Sequence, residues 1–172
     1  MQDDAIREAT ERAAKVLTQR PAAGQKTART TVNLKPSLEC AIEEGSWKLT
    51  AGMSPIYGGN NAGPTPGILG RAALGSCLAI GYAMWAARMN VPIDALEVVI
   101  EADMDSRGEL GVSDQVPPGY LAVRYVVTVS SRAPETDVRR VIDTADRYSS
   151  YRDVFGRAQD LTRELRIVQP AI

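Results

Sequence analysis

Two residue types limit the reactions that this chain could catalyse. It contains two cysteines, Cys40 and Cys77, and no histidine. Without histidine, a Ser-His-Asp triad, a Cys-His pair and a histidine-ligated metal site are all excluded. Two cysteines this far apart in the sequence do not form a cysteine-only zinc site either. We therefore expect no metal and no cofactor, and any group that activates a thiol must be Arg, Lys, Asp, Glu or Tyr.

Cys77 lies in PGILGRAALGSCLAIGYAMWAARM, an apolar stretch rich in small residues that predicts one long helix. Thr65 is suited to cap the start of this helix, with Pro66 in its first position. Asn90 is suited to end the helix near Arg88. Cys77 is therefore expected about three turns into the helix, beyond the reach of the N-terminal dipole.

The helical neighbours of Cys77 carry no charge; they are Ala73, Leu74, Ile80 and Gly81. An apolar site raises the pKa of a thiol and leaves it inert. The helix alone therefore favours Cys77 as a small packing residue over Cys77 as a nucleophile. A reactive thiol would need a cation from another element, and Arg29, in the first strand region, is our candidate.

The bulk composition is that of one ordinary globular domain with no nucleic-acid or membrane partner. The chain has 172 residues, of which 44% are hydrophobic and 24% charged, and its formal net charge is -1. A near-neutral chain predicts no basic face for nucleic acid. Residues 72–87 are uncharged, but they are fewer than the roughly 20 apolar residues that cross a membrane. The charged opening MQDDAIREATERAAKVL is unlike a signal peptide, so we expect a cytoplasmic protein.

Periodicity along the chain predicts an α+β fold. Residues 3–19 indicate an amphipathic helix, and residues 27–53 indicate three short strands. After the long helix come the strands LEVVIEADMD and YLAVRYVVTVSS, then the helix APETDVRRVIDTADRYS, the helical turn SYRDVFGRAQ and a last strand, LTRELRIV. Hairpins with helices on one face are typical of the α+β class. The long helix is apolar nearly all round and one sheet covers only one side, so we expect a symmetric dimer.

The segment GGNNAGPTPGILGRAALGSCLAIGYAMWAA resembles the signature of the OsmC/Ohr family. In that family a Gly/Pro loop leads into a long helix with a run of the form P-x-x-L-x-x-A-L-x-x-C. The matching positions here are Pro66, Leu69, Ala72 or Ala73, Leu74 and Cys77. The order of the downstream elements also matches, over about residues 27–169.

The resemblance implies an OsmC-like fold, with antiparallel sheets around long central helices in an intertwined homodimer. We place a helical extension at residues 1–24 and a single OsmC-like domain at residues 25–172.

The resemblance also implies an activity, the reduction of organic hydroperoxides or hydrogen peroxide by a reactive cysteine in oxidative stress defence. Cys77 matches the peroxidatic cysteine of the family, and Arg29 is our candidate for its activating arginine. Ser149 stands where the family has a second, resolving cysteine, and Gly67 stands where it has a glutamate. Tyr148 and Tyr151 flank Ser149 and Ser150, in a region that borders the thiol pocket of the family.

Two functions remain open on these residues. Cys77 acts as a one-cysteine peroxidase that an external thiol reductant resolves, because serine cannot form the family's disulfide. Alternatively, the chain is a catalytically degenerate dimer that binds a small apolar ligand at the subunit interface. A cation near Cys77 would favour the first function, and a buried neutral thiol would favour the second.

Two further polar patterns favour ordinary turns. GGNNAG lacks the Gly-Lys-Ser/Thr ending of a phosphate-binding loop. The acidic stretch EADMDSRGELGVSD lacks the calcium-loop pattern and its terminal glutamate. We therefore expect solvated turn residues at both places.

Overall fold

Five α-helices and five strands make up the fold in a computed structural model that describes residues 3–169. In chain order they are α1 (Asp3–Gln19), β1 (Thr31–Lys35), β2 (Glu39–Glu44), β3 (Trp47–Ala51), α2 (Pro66–Met89), β4 (Ala95–Met104), α3 (Ser106–Glu109), β5 (Tyr120–Ser130), α4 (Glu135–Arg147) and α5 (Ser150–Gly156). Strands β1–β2–β3 form one antiparallel sheet and β4–β5 a second. The predicted α+β class is confirmed.

The ends of α2 are set by local chemistry, as the sequence predicts. The Thr65 Oγ accepts a hydrogen bond from the backbone N–H of Ile68 at 3.4 Å, and Pro66 occupies the first turn. At the other end Asn90 adopts a left-handed conformation with φ 55° and ψ 40°, which stops the helix after Met89. Both ends lie within a residue or so of the predicted ones.

The core forms where α2 packs against the second sheet and α4. Helix α2 contacts α1, β4, α4 and α5. Two clusters of buried apolar side chains come from α2, α4 and the segment just before β4; they are Leu74, Leu78, Tyr82, Ala86, Val91, Ile93, Val141 and Ala145. Strand β4 alternates between half-buried and exposed residues because one of its faces lies on α2. The long helix is therefore held on one side by the second sheet and on another by α4 and α5.

Helix α2 is also the one helix in the described range that is long and apolar enough to cross a membrane by length and composition. The core helix of a soluble protein passes the same test. It contacts four other elements, and 17% of its apolar 18-residue stretch is buried within the single chain.

The first sheet has one apolar face and one polar face. Cross-strand pairing puts Val32 opposite Ile42 and Leu34 opposite Cys40, and Ile42 also pairs with Leu49. Paired residues point to the same face, so these side chains form a single apolar surface with Trp47. Most of this face is exposed within the described chain: Leu34 is 69% exposed and Trp47 is 75% exposed.

The prediction of a last strand at LTRELRIV, residues 161–168, is wrong for this chain. The structure has no strand after α5 up to residue 169, and Leu161 and Ile167 are 94% and 81% exposed. A strand forms only when another strand pairs with its N–H and C=O groups. No strand in the described part of the chain pairs with this segment, although its alternation of polar and apolar residues suits a strand.

Candidate functional site

The Cys77 thiol faces the turn that joins α4 to α5. Its Sγ lies 3.7 Å from the Oγ of Ser149 and 3.5 Å from the Oγ of Ser150. Both distances are within hydrogen-bonding reach of a sulfur atom. Cys77 is partly buried, and Ser149 is only 9% exposed. Two neutral hydroxyls therefore flank the sulfur.

Local capping holds these serines in place. Helix α4 ends at Arg147, and Ser149 is the N-cap of α5. The Ser149 Oγ accepts the backbone N–H of Arg152 at 3.3 Å, which satisfies one of the free donors of the first turn. Because the turn is this short, Ser149 and Ser150 both face the same atom of α2.

The pKa of the Cys77 thiol reflects two opposing effects. Burial raises this pKa, and hydrogen bonds lower it: from the Ser150 hydroxyl, the Tyr151 backbone N–H, the Ser149 hydroxyl and the Ser150 backbone N–H. The hydrogen bonds prevail, so the pKa lies below the ordinary value of a thiol. The thiolate is the nucleophilic form of cysteine, and this turn favours it.

Within the described part of the chain, no cation is among the groups that shift the pKa of Cys77. The groups that lower the thiol pKa are all neutral donors. Arg29 is exposed and precedes β1, in a sheet that makes no substantial packing contact with α2. Arg29 as the activating arginine therefore stays a prediction.

Gly67 lies in the first turn of α2, away from the thiol. It precedes Cys77 by ten positions, which is about 15 Å along a helix axis. A Cβ at Gly67 would lie 3.4 Å from Nη1 of Arg71 and 3.6 Å from Oη of Tyr120. Arg71 donates to that hydroxyl at 3.2 Å, and the hydroxyl donates to the Gly67 carbonyl at 3.1 Å.

A cavity of about 400 Å³ opens beside Gly67, a size in the range of small-molecule sites. Its apolar wall includes Met53, Tyr57 and Met104. The half-buried Arg71 and Tyr120 provide its polar groups nearest Gly67. This cavity and the thiol are separate places on one chain.

The two tyrosines of the predicted pocket have different surroundings. The Tyr148 ring stacks on Trp85 with centroids 5.2 Å apart and is 61% exposed, so its side chain packs on α2 beyond the thiol. Tyr151 contributes its backbone N–H to the Cys77 thiol, while its side chain is 40% exposed. Ser149, Ser150 and the Tyr151 backbone thus surround the sulfur.

Sequence reasoning missed a cluster of polar groups behind this turn. Asp146 accepts the Tyr82 hydroxyl at 2.6 Å and the Tyr125 hydroxyl at 2.8 Å. Arg152 Nε donates to the Tyr125 Oη at 3.2 Å. These residues come from four elements, and no spacing in the sequence connects them. Ser150 could have been proposed from the sequence, because it adjoins Ser149.

Metal ligands do not converge at this site. Within residues 3–169, no three cysteine, aspartate or glutamate side chains come together in a group that could hold a metal ion. The polar atoms nearest the sulfur are serine hydroxyls and backbone N–H groups.

Solved structures of known proteins share this fold. An OsmC-like protein from Mycoplasma pneumoniae is similar with a TM-score of 0.66 and 14% identity, covering 77% of this chain and 89% of that one. An organic hydroperoxide resistance protein from Legionella pneumophila has a TM-score of 0.55 and 12% identity, with 77% and 90% covered. One from Elizabethkingia anophelis has a TM-score of 0.57 and 12% identity, with 76% and 88% covered. At these identities the likeness establishes the fold.

The sequence comparisons give the family. No curated protein matches the chain in a sequence search. A family model described as OsmC-like protein matches residues 58–164, which include α2, the second sheet, α4 and α5. That match extends over more than half of the sequence and includes Cys77 and the turn of Ser149 and Ser150. The chain belongs to the OsmC-like protein family.

Proposed function

We propose that this protein is a thiol-dependent hydroperoxide reductase in which Cys77 is the sole reacting cysteine. The observation that carries the proposal is the turn of Ser149 and Ser150 at 3.7 and 3.5 Å from the Cys77 sulfur. Their hydroxyls stabilise the thiolate, which is the form that attacks peroxides. Fold neighbours described as organic hydroperoxide resistance proteins support the substrate class.

The proposed reaction begins with the Cys77 thiolate and a hydroperoxide, ROOH. The sulfur attacks the terminal oxygen, an S–O bond forms and the O–O bond breaks. The alkoxide RO⁻ leaves and takes a proton from water to become the alcohol, while the sulfur is oxidised to a sulfenic acid. Ser149 and Ser150 hydrogen-bond the attacking thiolate, and the negative charge moves from the sulfur to the leaving alkoxide oxygen as the O–O bond breaks.

The second half of the cycle needs an external thiol, because the chain offers no partner sulfur at the site. Serine cannot form a disulfide, and Cys40 lies on β2 in the first sheet. An external thiolate attacks the sulfenic sulfur, the S–O bond breaks, and hydroxide leaves and takes a proton from the solvent to become water, which gives a mixed disulfide. A second external thiol then releases Cys77 and leaves as the oxidised disulfide of the reductant.

Trapping the sulfenic acid tests this function directly. In a Cys40→Ser background, the protein is mixed with cumene hydroperoxide and dimedone, and the adduct is measured by mass spectrometry. We expect rapid, saturable labelling that is absent in Cys77→Ser. Oxidation no faster than that of free cysteine would contradict a peroxidase.

The second candidate function is a dimer that binds a small apolar ligand and catalyses no reaction. Two observations favour it. The thiol site lacks a cation among the groups that shift its pKa, and the chain has a cavity of about 400 Å³ beside Gly67. Slow oxidation of Cys77 together with saturable binding of an apolar probe such as cumyl alcohol would support this function over the peroxidase.

We also propose that the chain forms a homodimer in which a second copy covers the apolar face of the first sheet. Leu34 and Trp47 on that face are largely exposed, as are Leu161 and Ile167 in the C-terminal segment. So much exposed apolar surface is unusual on a monomer. In such a dimer the first sheet, with Arg29 just before β1, would lie against the other copy. Sedimentation equilibrium should give twice the mass of 18.5 kDa, and a monomer would contradict the proposal.

A further inference from the structure

One tyrosine hydroxyl forms hydrogen bonds on both sides of the turn that contains Ser149 and Ser150. Tyr125 on β5 donates to Oδ2 of Asp146 at 2.8 Å and accepts from Nε of Arg152 at 3.2 Å. Asp146 lies in the last turn of α4, and Arg152 lies in the first turn of α5. Ser149 and Ser150, which flank the thiol, lie between these two residues in the sequence. The two hydrogen bonds therefore fix the start and the end of the segment that surrounds Cys77.

The same carboxylate also binds the helix that carries the thiol. The other oxygen of Asp146 accepts the Tyr82 hydroxyl at 2.6 Å, and Tyr82 is 0% exposed. Tyr82 follows Cys77 by five positions on α2. Asp146 thus links the α2 segment that carries the sulfur to the turn that carries the hydroxyls.

The backbone continues this connection to the serines themselves. The Asp146 carbonyl accepts the Ser149 N–H at 3.4 Å, and the Ser149 Oγ accepts the Arg152 N–H at 3.3 Å. A shift of Asp146 or Arg152 would therefore move Ser149. Because hydrogen bonds weaken steeply with distance and angle, a small shift changes how well the hydroxyls reach the sulfur.

The reaction proposed above does not use Tyr125, Asp146 or Tyr82. The hydroxyls of both tyrosines point to Asp146, and neither is among the groups that shift the pKa of Cys77. Half-buried polar networks whose members are all satisfied specify one arrangement of the elements that they join. Here the joined elements are α2, β5 and the two helices on either side of the turn.

We propose that Tyr125 is a positioning residue for Cys77, acting through Asp146 and Arg152 to hold the Ser149–Ser150 turn against the sulfur. This inference rests on the proposed function, in which Cys77 is the reacting group. Tyr125 sets how readily the thiolate forms without touching it.

The test compares two hydroxyl deletions on the same strand. Tyr125→Phe removes the bridging hydroxyl, and Thr128→Val removes a hydroxyl at an exposed position of β5. Both are made in the Cys40→Ser background, and the rate of Cys77 alkylation by iodoacetamide is measured against pH. This profile reports the thiol pKa, which a general loss of stability does not move while the protein stays folded.

We expect Tyr125→Phe to shift the midpoint of the profile upward by about half a unit, which slows alkylation about threefold below the midpoint. Thr128→Val should keep the parent profile. Equal profiles for Tyr125→Phe and its parent would overturn the proposal. If Tyr125→Phe does not fold, Arg152→Gln replaces it, because Arg152 is exposed and its loss removes only one side of the bridge. An upward shift is again expected, and an unchanged midpoint overturns the proposal.

The alkylation profile also separates this inference from the proposed function, because it needs no peroxide. A shifted midpoint with no sulfenic acid formation would contradict the peroxidase and support the positioning role. An unchanged midpoint with rapid sulfenic acid formation would contradict the positioning role alone.

Discussion

The Oγ of Ser149 lies 3.7 Å from the Sγ of Cys77, at the position where the OsmC/Ohr resemblance implies a second cysteine. The structure therefore places a hydroxyl beside the thiol at the position where that resemblance implies a sulfur. A hydroxyl hydrogen-bonds a thiolate but cannot bond covalently to it. The geometry thus favours formation of the thiolate and leaves its oxidised product without an internal partner.

Restoring the sulfur should restore an internal disulfide. In the Cys40→Ser background, we expect Ser149→Cys to form a disulfide with Cys77 after peroxide is added. The bond needs sulfurs about 2.05 Å apart, which rotation about the side-chain bonds can provide from the present separation. Mass spectrometry should detect the loss of two hydrogens and little dimedone adduct. Ser76→Cys, at an exposed position next to Cys77 on α2, is the matched control and should form no such bond. Persistent dimedone labelling of Ser149→Cys would contradict this geometry.

Removing one hydroxyl should make the thiol less acidic. The Ser150 hydroxyl is the hydrogen bond that lowers the Cys77 pKa most, against the opposing effect of burial. In Ser150→Ala the thiolate should form only at a higher pH than in the parent protein. We expect its ultraviolet absorbance to titrate at a higher pH, and the sulfenic acid yield near neutral pH to fall about threefold or more. Ser76→Ala should titrate like the parent, and an unchanged titration of Ser150→Ala would count against the role of the turn.

The buried Tyr82 should make the protein sensitive to alkali. Burial and then the hydrogen bond to Asp146 raise its pKa above the ordinary tyrosine value. Its stabilising effect is therefore full below the unfolded-state pKa of about 10 and is lost as the pH rises above that value.

Urea unfolding at several pH values measures this effect. We expect Tyr82→Phe to lower the free energy of unfolding by about 1 kcal/mol at neutral pH, because one hydrogen bond to Asp146 is lost. Above pH ~10 the stability of Tyr82→Phe should fall less steeply than that of the parent protein. Tyr57→Phe, at a 43% exposed position, should follow the parent curve. Parallel curves for Tyr82→Phe and the parent would show that Tyr82 is not the titrating group.

One substitution on each face of β3 tests the dimer. Leu49 lies on the apolar face of the first sheet, and Thr50 lies on the opposite, polar face. We expect Leu49→Asp to sediment as a monomer, because it buries a carboxylate in the proposed interface without a partner. Thr50→Asp should keep the mass of the parent. Two variants with the same mass would contradict an interface on this face.

Several features of this protein follow from its sequence because their causes are local. Thr65 and Pro66 start α2, and Asn90 ends it, through contacts with residues a few positions away. The alternation within β1, β2 and β3 produces an apolar face whatever lies opposite. The family motif and the α+β class depend on such local patterns, so both could be predicted. The absence of histidine could be read directly from the residue types, and the family resemblance implied Ser149 at the position of the second cysteine.

The tertiary structure alone decided what surrounds the thiol. On its own helix Cys77 has only uncharged neighbours, and this favoured an inert thiol. The hydrogen bonds that favour the thiolate come from a turn more than 70 positions later, and residue spacing cannot show that α5 places its first donors there. The same limit explains the wrong last strand. Residues 161–168 have the alternation of a strand, but pairing depends on a sheet edge that the described chain does not supply. Local periodicity fixes what a segment can form, and contacts distant in sequence determine which of those possibilities is realised.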